Sequence, residues 1–169
     1  MKILSFLLPI IVFTTISVGS YSQNVLGLET TTLTYDNEPP CNVTYITGSY
    51  VNLTALIFAD MDNYRATMNK YNYLLATDGS GYIADNNCSA DYYMISKSTG
   101  EIKMIYTGQS DVTSFRNELR ELYPNIQAHF VDGFEIYATP LKKGNGLVYK
   151  LQVYIQEKQA GGMIIMRQF

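Results

Sequence analysis

The chain has 169 residues, twelve basic and fifteen acidic, for a formal net charge of −3; it carries one histidine, two cysteines, no tryptophan and fifteen tyrosines. An acidic balance with a single basic pair, Lys142-Lys143, argues against nucleic acid or an anionic membrane as partner, since both select a basic face. One histidine cannot build a histidine-rich zinc site.

Met1-Lys2 is followed by an apolar run from Ile3 to Val18 and by Gly19-Ser20-Tyr21-Ser22-Gln23. A charged start, a hydrophobic middle and a small-residue exit make a secretory signal peptide. The sixteen apolar-run residues fall short of the roughly twenty that a spanning helix needs. No Lys or Arg follows before Arg65, so no stop-transfer signal flanks the run. Cleavage is expected after Ser22, leaving residues 23–169 as a secreted or periplasmic chain without a membrane anchor. Lys2 is the only charge lost, so eleven basic residues then face fifteen acidic ones, net −4.

Residues 23–48 read as a polar, Thr-rich, irregular segment, with Leu33-Thr34-Tyr35 as a possible edge strand and Pro39-Pro40 as a break. Two cysteines in an exported chain favour a Cys41–Cys88 disulfide. Closing that loop would stabilise the fold by roughly 4 kcal/mol on the chain-entropy model. Three sequons, at Asn42, Asn52 and Asn87, matter only in a eukaryotic source.

Leu53, Leu56, Ile57, Met61, Tyr64, Met68 and Tyr71 recur at intervals of three and four, which predicts a helix from about 52 to 70. Ser49 or Asn52 would cap it, and Asp60 could begin a second helix. Strand-like runs follow at Tyr71–Thr77, Gly81–Asp85, Tyr92–Ser96 and Glu101–Thr107, the last two joined by a turn at Ser98-Thr99-Gly100. A second helix starts at Ser110 or Asp111, buries Val112, Phe115, Leu119 and Leu122, and ends before Pro124. Ile126–Val131 and Phe134–Ala138 then alternate about an Asp132-Gly133 hairpin turn. After a loop at Pro140–Asn145, Leu147–Ile155 alternates again, and Gly161-Gly162 leads into a last strand, Met163–Phe169.

The fold class is therefore α+β: two helices, each followed by antiparallel strands. Residues 49–169 form the expected domain, with two halves, 49–108 and 109–169, as a candidate duplication. Asp78-Gly79 follows the first helix as Asp132-Gly133 follows the second, and Met61 and Met68 align with Phe115 and Leu122 at one offset. A tandem helix-plus-sheet unit over about 50–169 resembles the β-lactamase-inhibitor-protein-like architecture, also found in some outer-membrane assembly lipoproteins. The resemblance rests on element order. It implies an open sheet face that binds protein, and it carries over no functional residue.

Chemistry-bearing residues are scattered. His129 sits on a strand with Gln127 and Val131, away from any Cys or Glu at ligand spacing. Asp60-Met61-Asp62-Asn63 lacks the later ligands of a calcium loop. Gly79-Ser80-Gly81 is not a nucleophile elbow. Asp85, Asp91 and Glu101 have no visible partner. No metal or cofactor is implied. Tyrosine is the enrichment, and it suits both strands and interfaces. Tyr93 and Tyr137, out of phase with their apolar neighbours, and Tyr154, flanked by Gln152 and Gln156, are expected to point outward and bind. The expected function is a non-catalytic binding module whose partner is a protein or a glycan. The alternatives are a small secreted hydrolase using carboxylates and His129, or a structural or immunity-type partner of a neighbouring gene product.

Overall fold

Period-two alternation and the turn residues between runs set the strands, and local hydrogen bonding sets where the helices stop. The computed structural model describes residues 25–36, 38–85, 93–107, 110–142, 148–159 and 161–169. The signal-peptide and cleavage expectations, Asn87, Cys88, Asp91 and Tyr92 lie outside the described residues. The elements in chain order are β1 Thr30–Tyr35, β2 Cys41–Ile46, α1 Tyr50–Phe58, α2 Met61–Lys70, β3 Tyr73–Leu75, β4 Tyr82–Ala84, β5 Tyr93–Ser98 and β6 Glu101–Tyr106. Then come α3 Ser110–Leu122, β7 His129–Val131, β8 Phe134–Lys142, β9 Val148–Lys158 and β10 Gly161–Gln168. The α+β class with antiparallel strands stands.

The expected 52–70 helix is two helices. Ser49 caps α1, its side chain accepting the Asn52 N–H at 3.1 Å. The chain turns extended at Ala59, and Asp60 caps α2 by accepting the Asn63 N–H at 2.7 Å. Asn63 Nδ2 donates back to the Asp60 carboxylate at 2.8 Å. This local bonding competes with continuation of the helix. The carbonyls freed at the end of α1 are taken by Lys97, whose Nζ donates to Leu56 O at 2.8 Å and Ile57 O at 2.6 Å. The N-terminal N–H groups of Tyr50 and Val51 are taken by Glu118 of α3. The stripes are buried as expected except at Met61, where the two helices part, and at Leu122, the last residue of α3, both of which are exposed.

Strands β3 to β10 form one antiparallel sheet in the order β3-β4-β5-β6-β10-β9-β8-β7. Each stretch after a helix supplies four consecutive strands, and the last of each set, β6 and β10, pair at the centre. Two-residue connections close the last hairpin of each set, between Ser98 and Glu101 and between Lys158 and Gly161, 60 residues apart. The same 60-residue shift carries Met104 onto Ile164, which is its own cross-strand partner. Asp132-Gly133 forms a turn with both φ positive, 49° and 79°, the mirror-image geometry that suits hairpin twist.

The core lies between the helices and one face of this sheet. Ile102 and Met104 of β6, Leu151, Val153 and Ile155 of β9, and Ile164 and Met166 of β10 are all buried there against Leu53, Leu56, Phe115 and Leu119.

Two departures from expectation have clear causes. The segment 23–48 is not irregular throughout: Thr30–Tyr35 and Cys41–Ile46, β1 and β2, pair as a separate hairpin. Val43 and Tyr45 alternate with exposed Asn42 and Thr44, a short pattern masked by Pro39-Pro40. Tyr45 stacks on Tyr93 at 4.0 Å between ring centroids, which joins the hairpin to the core. Asn52, buried in α1, holds the preceding segment: its Oδ1 accepts the Glu29 N–H, and its Nδ2 donates to Glu29 O and Thr47 O. Asn52 is buried with both amide hydrogens engaged, so this fold leaves no room for a glycan on it; Asn42 is exposed. Second, the expected Pro140 loop is strand. Pro140 pairs with Lys150, and its carbonyl accepts from Tyr123 Oη at 2.9 Å on the side away from β9. The missing N–H points to that same side, so no ladder bond is lost.

A candidate binding face

The eight-stranded sheet has two faces of different chemistry, and the register assigns every strand residue to one of them. On the helix side Tyr93 opposes Tyr106, Ile95 opposes Met104, and Tyr137 opposes Val153. Tyr93 and Tyr137 are thus interior, 4% and 2% exposed, and the expectation that they point outward is corrected. Tyr93 shares its face with Ile95, two residues on, and Tyr45 covers it. Tyr137 faces inward because β8 carries an inverted pattern: Glu135, Tyr137 and Thr139 are buried, whereas Phe134, Ile136, Ala138 and Pro140 face the open side.

Each inward polar group on β8 has a partner from a helix or a neighbour. Arg116 of α3 donates through Nε to Glu135 Oε2 at 2.6 Å and through Nη1 to Glu157 Oε2 at 2.8 Å. Tyr137 Oη donates to the other Glu135 oxygen, Oε1. Thr139 Oγ1 and Tyr50 Oη are 2.9 Å apart. These bonds fix α3 over the sheet. Sequence reasoning misses them, although the Glu135-Tyr137-Thr139 alternation carries the signal.

Burial first, and the Glu135 carboxylate second, push the Tyr137 hydroxyl up to about 12. Burial likewise raises Tyr50 and Tyr64 above the ordinary phenol range. Native tyrosines held neutral bind protons that the unfolded chain releases near pH 10. Their contribution is whole below about pH 10 and is lost as pH rises through 12 and beyond. Each tenfold difference in proton affinity between the native and unfolded chain is worth about 1.4 kcal/mol. The urea midpoint should therefore hold steady to about pH 9 and then fall steeply, in step with tyrosinate absorbance. A midpoint that stayed flat while all fifteen tyrosines ionised would contradict the buried hydroxyls.

No protein-family model, curated protein or solved structure matches this chain. The site therefore rests on its own geometry.

Among the described residues, no helix covers the other face of the sheet. One row across it reads Leu74, Ile83, Met94, Ile105, Met163, five apolar residues on five adjacent strands, each opposite the next. Leu74 is exposed, Ile83, Ile105 and Met163 are half-buried, and Met94 is buried, with the Ser80 hydroxyl on its sulfur. At strand spacing this row is about 20 Å long. The next row reads Ser96, Lys103, Ile165, Tyr154, Ile136, His129. Tyr154 lies on this face as expected, half-buried at its centre. Its hydroxyl donates to Gln152 Oε1 at 2.5 Å, its ring meets Phe134 edge-on at 6.3 Å, and the Arg167 guanidinium lies 5.1 Å from its centroid. Arg167 is itself paired with Glu101 at 2.5 Å. A shallow depression of about 330 Å³ opens beside Ile105, Gln156, Gly162 and Met163.

His129 is exposed on the short edge strand β7, opposite Ile136, and among the described residues its ring has no carboxylate partner. Cys41 opens β2, and no free cysteine is present among the described residues.

Proposed function

We propose that this chain is an exported, non-catalytic binding module that receives a protein on the open face of its sheet. The observation that carries the reading is the apolar row from Leu74 to Met163, exposed or half-buried at every member but Met94, with Ile165, Tyr154, Ile136 and Phe134 beside it. A contiguous apolar surface with a polar surround marks an interaction site. The inverted pattern of β8 supports it further, because polar side chains are buried under α3 while apolar ones are left facing water. A glycan fits less well: sugars stack on open aromatic faces, and the Tyr154 ring is occupied by Arg167 and Phe134. The hydrolase alternative needs an acid beside His129, and among the described residues no carboxylate pairs with that exposed side chain.

Three structural proposals accompany this reading. The leader ending at Ser22 is removed on export. Cys41 bonds to Cys88, tying the β1–β2 hairpin to the connection after β4. The two helix-plus-four-strand halves descend from one duplicated unit; the shared 60-residue shift at the last hairpins and at the Met104–Ile164 pair supports this. The first hairpins, at Asp78-Gly79 and Asp132-Gly133, are 54 residues apart, so the second half has gained six residues between.

The binding reading is tested by affinity capture from an extracellular and envelope fraction with three baits: the unaltered chain, Met163→Asp, and Arg65→Glu on the exposed side of α2. Proteins held by the first and third baits and lost from the second are expected. An identical set on all three would refute use of this face.

A further inference from the structure

The open face is charged against the sign of the chain. Lys103, Lys150, Lys158 and Arg167 all fall on it, as the register places them in phase with Ile105, Tyr154 and Met163. Its acids among the described residues are Glu101, already paired with Arg167, and Asp78 and Asp85 at the far end of the apolar row, beside Leu74 and Ile83. Meanwhile the chain as a whole is at −3. Lys103, Lys150 and Lys158 make no ion pair among the described residues. Lys150 and Lys158 lie four residues to either side of Tyr154, about 13 Å away along the strand, and Lys103 is two strands over, about 10 Å away. An aromatic and apolar centre is thus rimmed by three cations that no described carboxylate pairs.

Resting on the binding reading above, we infer that the partner is a protein presenting acidic side chains around an apolar or aromatic contact. The apolar row gives it contact area, and the cationic rim fixes its register and accelerates encounter. Nucleic acid is the less suitable anion, because four cations spread over an otherwise acidic chain neutralise few phosphates.

The test titrates the purified chain with three labelled probes: a random copolymer of glutamate and tyrosine, a copolymer of lysine and tyrosine, and single-stranded DNA. The glutamate–tyrosine copolymer is expected to bind most tightly and to weaken with salt. Lys103→Glu combined with Lys150→Glu should reduce that affinity about tenfold, as should Met163→Asp, whereas Arg65→Glu should not. The milder pair Lys103→Gln with Lys150→Gln gives a smaller loss in the same direction if the reversal impairs folding. Tighter binding of the lysine copolymer, lost with Met163→Asp, would overturn the acidic partner and leave the face standing. Tighter binding of the DNA would overturn the protein partner. Binding indifferent to every face substitution, or none at all, would bring down both the inference and the reading beneath it.

Discussion

Replacing Glu135 with alanine is expected to lower the free energy of unfolding by about 3 kcal/mol, the scale for breaking a buried pair by removing one partner. The carboxylate accepts from Arg116 and from Tyr137 with its side chain 9% exposed. Its loss leaves the buried Tyr137 hydroxyl without its acceptor and takes one of two carboxylates from Arg116, which is only 22% exposed and keeps Glu157. Glu157 offers the internal comparison. It meets the same Arg116, at 2.8 Å, but is 35% exposed, so Glu157→Ala should cost below about 1 kcal/mol. Urea unfolding of the two variants measures the difference. Equal costs would mean that the Glu135 cluster contributes nothing beyond a surface ion pair. Glu135→Leu combined with Arg116→Met should be milder than Glu135→Ala alone, since well-packed apolar groups need no partner.

Gly161→Ala should destabilise by about 3 kcal/mol or more, through backbone strain and overpacking together. Gly161 has φ +150°, and a Cβ there would run into the Tyr106 carbonyl oxygen and sit 2.9 Å from Thr107 Cα. The obstacle is backbone at the end of β6, so relief requires parting β10 from β6 at the centre of the sheet. Gly79 is the control: its φ is +70°, with nothing within 4 Å, so Gly79→Ala should cost about 1 kcal/mol from strain alone. Thermal unfolding followed by circular dichroism should rank the two widely apart. A Gly161→Ala variant as stable as Gly79→Ala would deny the close β6–β10 approach.

Legibility in the sequence follows the range of the interactions. The Ser49 cap, the Asp60 alternative, the end of α3 before Pro124 and the Asp132-Gly133 turn each depend on residues within a few positions, and each is found. The faces of β5 and β8 are where the pattern misleads. Ile136 and Ala138 look like core because they are apolar, and Glu135 and Thr139 look like surface because they are polar, whereas Tyr93 and Met94 are both buried, one on each face of β5. What turns β8 over is Arg116 of α3 and Tyr50 of α1, both on helices that precede it in the chain. Of the three tyrosines expected to face outward, Tyr154 does so, because Gln152 and Gln156 mark its face; Tyr93 and Tyr137 lie under Tyr45 and α3.

The α+β class, the helix caps, most hairpin turns and the acidic balance of the chain follow from the amino-acid order alone. They are written in local hydrogen bonding, side-chain periodicity and composition. Packing between distant segments brings the last strands of the two halves together at the centre of one sheet. It also joins the β1–β2 hairpin to the core and chooses which face of each strand looks at water. Strand order and facing are properties of pairing across the chain, and a half-polar strand can satisfy its alternation in either orientation until a partner such as Arg116 chooses one.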